Sequence, residues 1–234
     1  MDGLLWSIMM ISGLFVPLAY VLGRRLGKHT SFLILIPLVY TTLVLLSYLP
    51  KVVAGGSFLE SFTWIPNIRF GLLVDGLSLP IGFTVALLST LLVPYSLPYM
   101  EHRIREEYKT DNKRAFATFY ALYLLLATGM LGVALSTNTF EFFLFYELMI
   151  VPAWALITVY GYQNREKIAF TFFMWAEISA LTLLVGILTA YAKLGNFEIS
   201  QLIQLNGDLW APWIVIFVLL GFLIKIAAFG LHIW

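Results

Sequence analysis

The chain has 234 residues, of which 61% are apolar and 12% charged, with a mean hydropathy of +0.90 and a formal net charge of +1. Because soluble domains carry about 25% charged residues, this composition predicts an integral membrane protein rather than a soluble domain. The absence of cysteine excludes disulfides and thiolate-ligated iron–sulfur or zinc sites within the chain. No basic array that would bind nucleic acid is present, so we expect no nucleic-acid partner.

Apolar stretches of about 20 residues, the length of a spanning helix, recur along the whole chain. They predict an all-α fold, a polytopic membrane bundle of about seven transmembrane helices. The spans are expected at about 4–22, 31–49, 76–99, 115–136, 139–160, 167–192 and 211–234.

Two links between the spans carry structural signals of their own. The link 50–74 contains Gly55 and Gly56 and is expected to form an ordered external loop or short hairpin. The link 195–209 contains FEISQLIQL, whose apolar residues predict a short amphipathic helix at the membrane interface.

The basic residues of the links fall mainly on one side of the predicted bundle. Links 23–30, 101–114 and 163–167 carry most of the lysines and arginines, whereas the intervening links carry only Lys51, Arg69 and Lys193. Since cytoplasmic loops are enriched in Lys and Arg, the N-terminus is expected outside a cell or energy-converting membrane.

Three ionisable residues lie well inside the predicted spans. Glu147 is roughly 12 Å and Lys225 roughly 21 Å from the outer end of its span, and Glu177 is roughly 15 Å from the cytoplasmic end. A charge at such a depth costs roughly 2.5–3.5 kcal/mol on insertion scales, and such residues usually serve ion pathways or proton relays. An acid and a base at similar depth indicate an ion pair between Glu147 and Lys225.

The pair suggests a mechanism for ion movement, although a purely structural lock between helices is the alternative. Burial disfavours the charged form of each group, and a nearby opposite charge restores it. When Lys225 separates from Glu147, the lysine would therefore tend to release a proton and the glutamate to take one up. His232 could relay that proton toward the cytoplasm, or else simply bond to backbone near a helix end. Gly221 and Gly230 flank Lys225 and would permit a local helix break.

At these residues the sequence resembles the antiporter-like subunits of respiratory complex I, of membrane-bound hydrogenase-type complexes and of Mrp-type cation/proton antiporters. The resemblance extends over essentially the whole chain. Its main segments are VDGLSLPIGFTVALLSTL at 74–91, FEFFLFYELMIVPAWALITVYG at 140–161, KIAFTFFMWAEISALTLL at 167–184 and KIAAFGLHIW at 225–234.

The resemblance implies roles for individual residues. Glu147 matches the fifth-helix glutamate of the family, Lys225 the lysine of its broken seventh helix, and His232 the histidine that follows. Glu177 falls where relatives often have another polar residue, so its role in ion translocation is the weakest of the four. Prolines that often follow the lysine are absent here, and Thr171 replaces a lysine common early in the sixth helix.

Family members have about fourteen helices in two inverted repeats, so the resemblance places this chain in the N-terminal half of that fold. It implies three N-terminal helices at 1–114, with external loop 50–74 and cytoplasmic loop 101–114. Residues 115–234 would form the first part of the ion-translocating repeat, cut within its seventh helix. We therefore expect a fragment or a split gene, with another chain supplying the second half.

The resulting hypothesis is a proton- or sodium-translocating subunit of an energy-converting respiratory oxidoreductase. One alternative is a component of a cation/proton antiporter without redox chemistry, and another is a non-conducting structural membrane subunit. No cofactor and no metal is expected in this chain, and any redox chemistry of an NADH dehydrogenase-like or hydrogenase-like complex would reside in other subunits. The expected partners are other membrane subunits, peripheral redox subunits and the lipid bilayer.

Overall fold

The computed structural model describes residues 3–65, 68–109, 112–228 and 230. Within them the chain is mostly helical, with a single two-stranded sheet. The α-helices are α1 (Leu4–Leu26), α2 (Thr30–Val53), α3 (Ser78–Tyr108), α4 (Lys113–Leu135), α5 (Thr139–Tyr160), α6 (Arg165–Leu194) and α7 (Ala211–Lys225).

These helices coincide with the predicted apolar stretches, and the membrane helix bundle is confirmed. Five helical stretches are long and apolar enough to cross a membrane: Leu4–Val53, Ser78–Tyr108, Lys113–Leu135, Thr139–Tyr160 and Arg165–Leu194. The first contains both α1 and α2, whereas α7 is apolar but only 15 residues long. The count of seven spans and the outside N-terminus stay predictions.

Helix α3 is longer than the sequence predicts. The expected span ends at 99 and gives way to a loop, yet α3 continues to Tyr108. The reason lies in charge pairs spaced three and four residues apart, which stabilise a polar helical extension. Arg103 approaches Glu106 at 3.2 Å, and Arg105 approaches Glu101 at 3.7 Å. The helix also passes through both of its interior prolines.

The link 50–74 forms the expected hairpin. Strands β1 (Phe58–Ile65) and β2 (Ile68–Val74) pair in a two-stranded sheet. The segment FEISQLIQL is helical as predicted, but as a 3₁₀-helix over Ile199–Leu205 rather than an α-helix.

The chain divides into two compact units, of which the first comprises Met1–Glu60 and Leu72–Leu135. In it α1 packs against α2 and α4, and α3 packs against the same two helices. A Cβ atom at Gly23 would lie 2.8 Å from the Cβ of Ala117, so the backbones of α1 and α4 approach closely there. The Glu60 carboxylate accepts hydrogen bonds from the first backbone N–H groups of α1, including that of Leu4 at 2.9 Å. A negative charge at a helix N-terminus is stabilising.

The second unit comprises Ser61–Gly71 and Ser136–Trp234, and α6 packs against both α5 and α7 in it. Helices α6 and α7 cross at very short range. A Cβ at Gly186 would lie 2.8 Å from Cγ2 of Val218, and one at Gly221 would lie 3.0 Å from the carbonyl oxygen of Ser179. Small residues at such crossings are a usual way to join membrane helices.

Candidate functional site

Helix α7 ends at Lys225, nine residues before the end of the apolar stretch that contains it. Ala227 adopts the left-handed conformation at φ 54°, and its N–H donates to the carbonyl of Ile224 at 3.2 Å. The N–H of Ala228 donates to the carbonyl of Leu223 at 2.9 Å. These two bonds form a Schellman motif, the usual end of a helix, with alanine where glycine is preferred. Helix α7 therefore ends at Lys225, where the sequence predicts a break.

This break places the Lys225 ammonium at the C-terminal end of a helix, where the macrodipole favours a positive charge. The side chain is half-buried, and its Nζ lies 4.6 Å from the centre of the Tyr146 ring. The recess beside it, lined by Phe172, Trp175 and Ile224 among others, is too narrow for a water molecule. On this side the lysine therefore packs directly against protein.

Glu147 on α5 and Glu177 on α6 are both half-buried and both interact electrostatically with Lys225. The attraction from Glu147 is the larger of the two. The two carboxylates also repel each other. Among the residues that the structure describes, neither carboxylate lies within 4.0 Å of the ammonium, so the expected direct ion pair is not formed.

The structure therefore brings three of the four sequence-predicted site residues into one electrostatic cluster. These are Glu147, Glu177 and Lys225, one from each of α5, α6 and α7. The fourth, His232, lies outside the described residues. The roles of all four in ion translocation stay predictions.

A hydrogen-bonded chain beneath the lysine was not foreseen from the sequence. The Tyr146 hydroxyl lies 2.5 Å from Oγ of Ser179, and the Ser179 hydroxyl donates to the carbonyl of Gly221 at 2.8 Å. Tyr146 is 3% exposed and Ser179 is fully buried. The chain links α5, α6 and α7 one turn before Lys225. Only the position of Tyr146, next to Glu147 in sequence, could have pointed to it.

A second buried carboxyl on α5 also escaped the sequence-based prediction. Glu141 is fully buried, and its Oε2 accepts from the N–H of Gly71 at 3.0 Å. Its own N–H donates to Oδ1 of Asn138 at 2.7 Å, so Asn138 caps the start of α5. Its Oε1 has no hydrogen-bond partner in the described part of the chain. The pattern of an Asn followed three residues later by a Glu is the signal that could have located it.

Comparison with known proteins supports the resemblance noted in the sequence. Residues 136–234, which include the cluster, match the family described as NADH:quinone oxidoreductase/Mrp antiporter, TM. The chain is 26% identical to F(420)H(2) dehydrogenase subunit M of Methanosarcina mazei, over 87% of this chain and 46% of that protein. It is 28% identical to a Na(+)/H(+) antiporter subunit of Alkalihalophilus pseudofirmus, over 94% of this chain and 27% of that protein.

Solved structures show the same fold. The Mrp complex from Dietzia sp. DQ12-45-1b contains a chain with a TM-score of 0.77 and 18% identity, over 97% of this chain and 42% of that one. A chain of the membrane-bound sulfane sulfur reductase, an archaeal respiratory membrane complex, gives a TM-score of 0.76 at 20% identity, over 95% of this chain and 44% of that one.

The chain thus spans less than half the length of the relatives that it matches. The predicted resemblance is confirmed: residues 136–234 match this family, and the chain is similar to antiporter-like membrane subunits of Mrp and complex I-like assemblies.

Proposed function

We propose that this antiporter-like membrane subunit moves protons or sodium ions across the membrane through the cluster of Glu147, Glu177 and Lys225, driven by a redox complex. The observation that carries the proposal is the state of Lys225. It lies at a helix break, within electrostatic reach of two carboxylates, and is paired with neither in the described structure. A cation that is near its partners without being locked to them can change partners.

The chemistry follows from burial. When Lys225 meets Glu147, each charge compensates the other, and both groups stay ionised. When they separate, the cost of desolvation favours the neutral form of each, so the lysine releases a proton and the glutamate takes one up. Glu177 adds a second carboxylate to a single ammonium, which leaves one acid free to carry a proton or to bind a sodium ion. His232 would receive or supply protons on the cytoplasmic side.

The direct test is transport by the complete complex in membrane vesicles, with the variants Glu147→Gln and Lys225→Ala. Each removes one charge of the pair, and we expect pumping to fall by at least tenfold at unchanged assembly, in line with the effect of losing a positioned proton-transfer group. Glu166→Gln and Lys167→Ala are matched controls, because both residues are exposed at the start of α6. Full pumping by either cluster variant would refute the proposal.

A second candidate is a cation/proton antiporter component without redox chemistry. It is favoured by the similarity to the Na(+)/H(+) antiporter protein of Alkalihalophilus pseudofirmus, which is of the same order as that to the dehydrogenase protein. Purification of the complex separates the two. Iron–sulfur or hydrogenase-like subunits that copurify would support the redox-driven complex, whereas small membrane subunits alone would support the antiporter. Uptake measured with a pH-sensitive dye and with labelled sodium then identifies the ion.

A non-conducting, structural role is the remaining alternative. In that case the cluster would only hold α5, α6 and α7 together. The charge variants would then lower the amount of assembled complex in the membrane, and the complex that does assemble would pump at the rate of the unmodified one.

A further inference from the structure

The aromatic ring beside Lys225 belongs to the residue that precedes Glu147 in the chain. The Lys225 ammonium lies 4.6 Å from the centre of the Tyr146 ring, well within the range of a cation–π interaction. The same ammonium is attracted by Glu147 but is not within ion-pair distance of it. In this structure the ring, and not the carboxylate, is the direct partner of the charge.

We propose that Tyr146 is a positioning residue that holds the Lys225 ammonium whenever the lysine is separated from Glu147. The lysine would alternate between two adjacent sites on α5, the face of the Tyr146 ring and the Glu147 carboxylate. This inference rests on the proposed function, because it describes what stabilises the Lys225 ammonium while it is separated from Glu147.

The geometry makes such an exchange possible without moving a helix. Consecutive residues of an α-helix project about 100° apart, so the ring and the carboxylate are neighbours around α5. Lysine has a flexible four-carbon stem, and rotation about its bonds can carry the ammonium from one site to the other. An ammonium with no partner at all would be costly in a dry site, and the ring lowers that cost.

The ring itself is fixed by the hydrogen-bonded chain on its far end. Ser179 has a single hydroxyl proton, which it donates to the carbonyl of Gly221, so Tyr146 must be the donor in its bond to Ser179. Two further rings restrain it, since Phe142 stacks at 6.1 Å and Phe222 meets it at a steep angle at 6.5 Å. The face that receives the ammonium is therefore held in one orientation.

The carbonyl at the end of that chain connects the ring to the helix of the lysine. In the α-helical pattern the carbonyl of Gly221 pairs with the N–H of Lys225, four residues later. A single chain of hydrogen bonds thus runs from the aromatic site on α5 to the last turn of α7. The position of the ring and the position of the lysine backbone are set by the same contacts.

The test compares the variants Tyr146→Phe, Tyr146→Trp, Tyr146→Leu and Tyr146→Met in the complete complex in vesicles. If the ring holds the charge, Phe and Trp should keep pumping within about threefold of the unmodified complex, and Leu and Met should lower it by about tenfold. Leucine and methionine are smaller than phenylalanine and leave a cavity, so a role in packing alone would lower the amount of assembled complex. Pumping is therefore expressed per assembled complex, and a packing role would leave that rate unchanged.

The pH profile of pumping gives an independent readout. Loss of the ring leaves the ammonium less stabilised, so the alkaline limb of the profile should move to lower pH in Tyr146→Leu and stay in place in Tyr146→Phe. Among the described residues, the charged groups that face Lys225 are Glu147 on α5 and Glu177 on α6, and neither changes in these variants. Phe140→Leu is the matched control, because it removes a ring of α5 that packs against Phe70 and Phe197 rather than against Tyr146 or the ammonium.

The outcomes distinguish this inference from the proposed function. If Glu147→Gln and Lys225→Ala abolish pumping while Tyr146→Leu pumps like the unmodified complex with the same pH profile, Tyr146 does not position the charge and only this inference fails. If the Glu147 and Lys225 variants pump normally, the proposed function itself fails. Equal losses in Tyr146→Phe and Tyr146→Leu would show that the hydroxyl matters and not the ring, which also overturns the inference.

Discussion

The Ser179 hydroxyl donates a hydrogen bond to the carbonyl of Gly221 across 2.8 Å, and this bond joins α6 to the last turn of α7. The contact depends on the absence of a side chain at 221, since a Cβ there would lie 3.0 Å from the carbonyl oxygen of Ser179. The glycine therefore permits the close approach on which the hydrogen bond depends. The bond holds the last turn of α7, which carries Lys225, against α6.

Replacement of Ser179 by alanine should destabilise the assembled protein. The variant loses the bond to Gly221 and leaves the buried Tyr146 hydroxyl without its acceptor, which costs about 1–3 kcal/mol. Thermal unfolding of the purified complex in detergent measures the effect. Ser47→Ala is the matched control, because Ser47 is an exposed residue whose hydroxyl bonds, within the described part of the chain, only to a carbonyl of its own helix. Equal unfolding temperatures for the two variants would contradict the role of the hydrogen-bonded chain.

The alanine at the end of α7 offers a substitution that should stabilise the break. Ala227 has a φ of 54°, a conformation that costs an alanine roughly 1–2 kcal/mol and glycine nothing. Replacing Ala227 by glycine removes this cost, but part of the stabilisation is lost because glycine has more freedom in the unfolded chain. Ala227→Gly should therefore raise the free energy of unfolding by about 0.5 kcal/mol.

The neighbouring Ala228 provides the control for this change. It is not among the residues with positive φ, so Ala228→Gly should destabilise slightly. Pumping should survive Ala227→Gly, because the break is kept. A loss of stability in Ala227→Gly comparable to that in Ala228→Gly would show that the left-handed turn is not the preferred state of the chain.

Much of this architecture could be predicted from apolar periodicity and charge, because lipid leaves the chain few alternatives to long helices. The helices follow from the length of the apolar stretches, and the hairpin follows from the length and turn-forming residues of the link 50–74. The extension of α3 was missed because the apolar stretch ends before the last turns of the helix. Those turns are charged, and their side chains form ion pairs along the helix. Lys225 and Glu147 stand out because charge is costly in lipid, whereas Tyr146 and Ser179 look like ordinary membrane residues until their contacts are known.

The buried carboxyl of Glu141 should matter through its acceptor atom rather than its charge. Glu141→Leu would leave the N–H of Gly71 buried without a partner and cost about 1–3 kcal/mol, whereas Glu141→Gln keeps an acceptor oxygen at that place. Unfolding temperatures of the two variants and of the unmodified complex are compared. Leu and Gln variants of equal stability would show that the bond to Gly71 contributes nothing.

Asp75, in the link before α3, gives a dependence of stability on pH. Hydrogen bonds from the backbone N–H groups of Ser78, at 2.8 Å, and Leu77, at 3.0 Å, and from the Ser78 hydroxyl lower the pKa of its carboxyl, against a smaller opposing effect of burial. A carboxyl whose pKa is lower in the folded state stabilises that state above its unfolded pKa of about 3.9, and the contribution is lost as the pH falls through the folded value.

Asp75→Asn keeps an acceptor but cannot ionise, so it should unfold at a lower temperature than the unmodified protein near neutral pH. The difference should narrow once the pH falls below about 4, because the unmodified Asp75 then becomes protonated and loses the same charge. Other carboxyls titrate in both proteins and cancel in the comparison. Glu166→Gln, at an exposed site, should follow the unmodified curve throughout. A difference for Asp75→Asn that stays constant from neutral pH to below about pH 3 would mean that the ionised carboxylate is not what stabilises the start of α3.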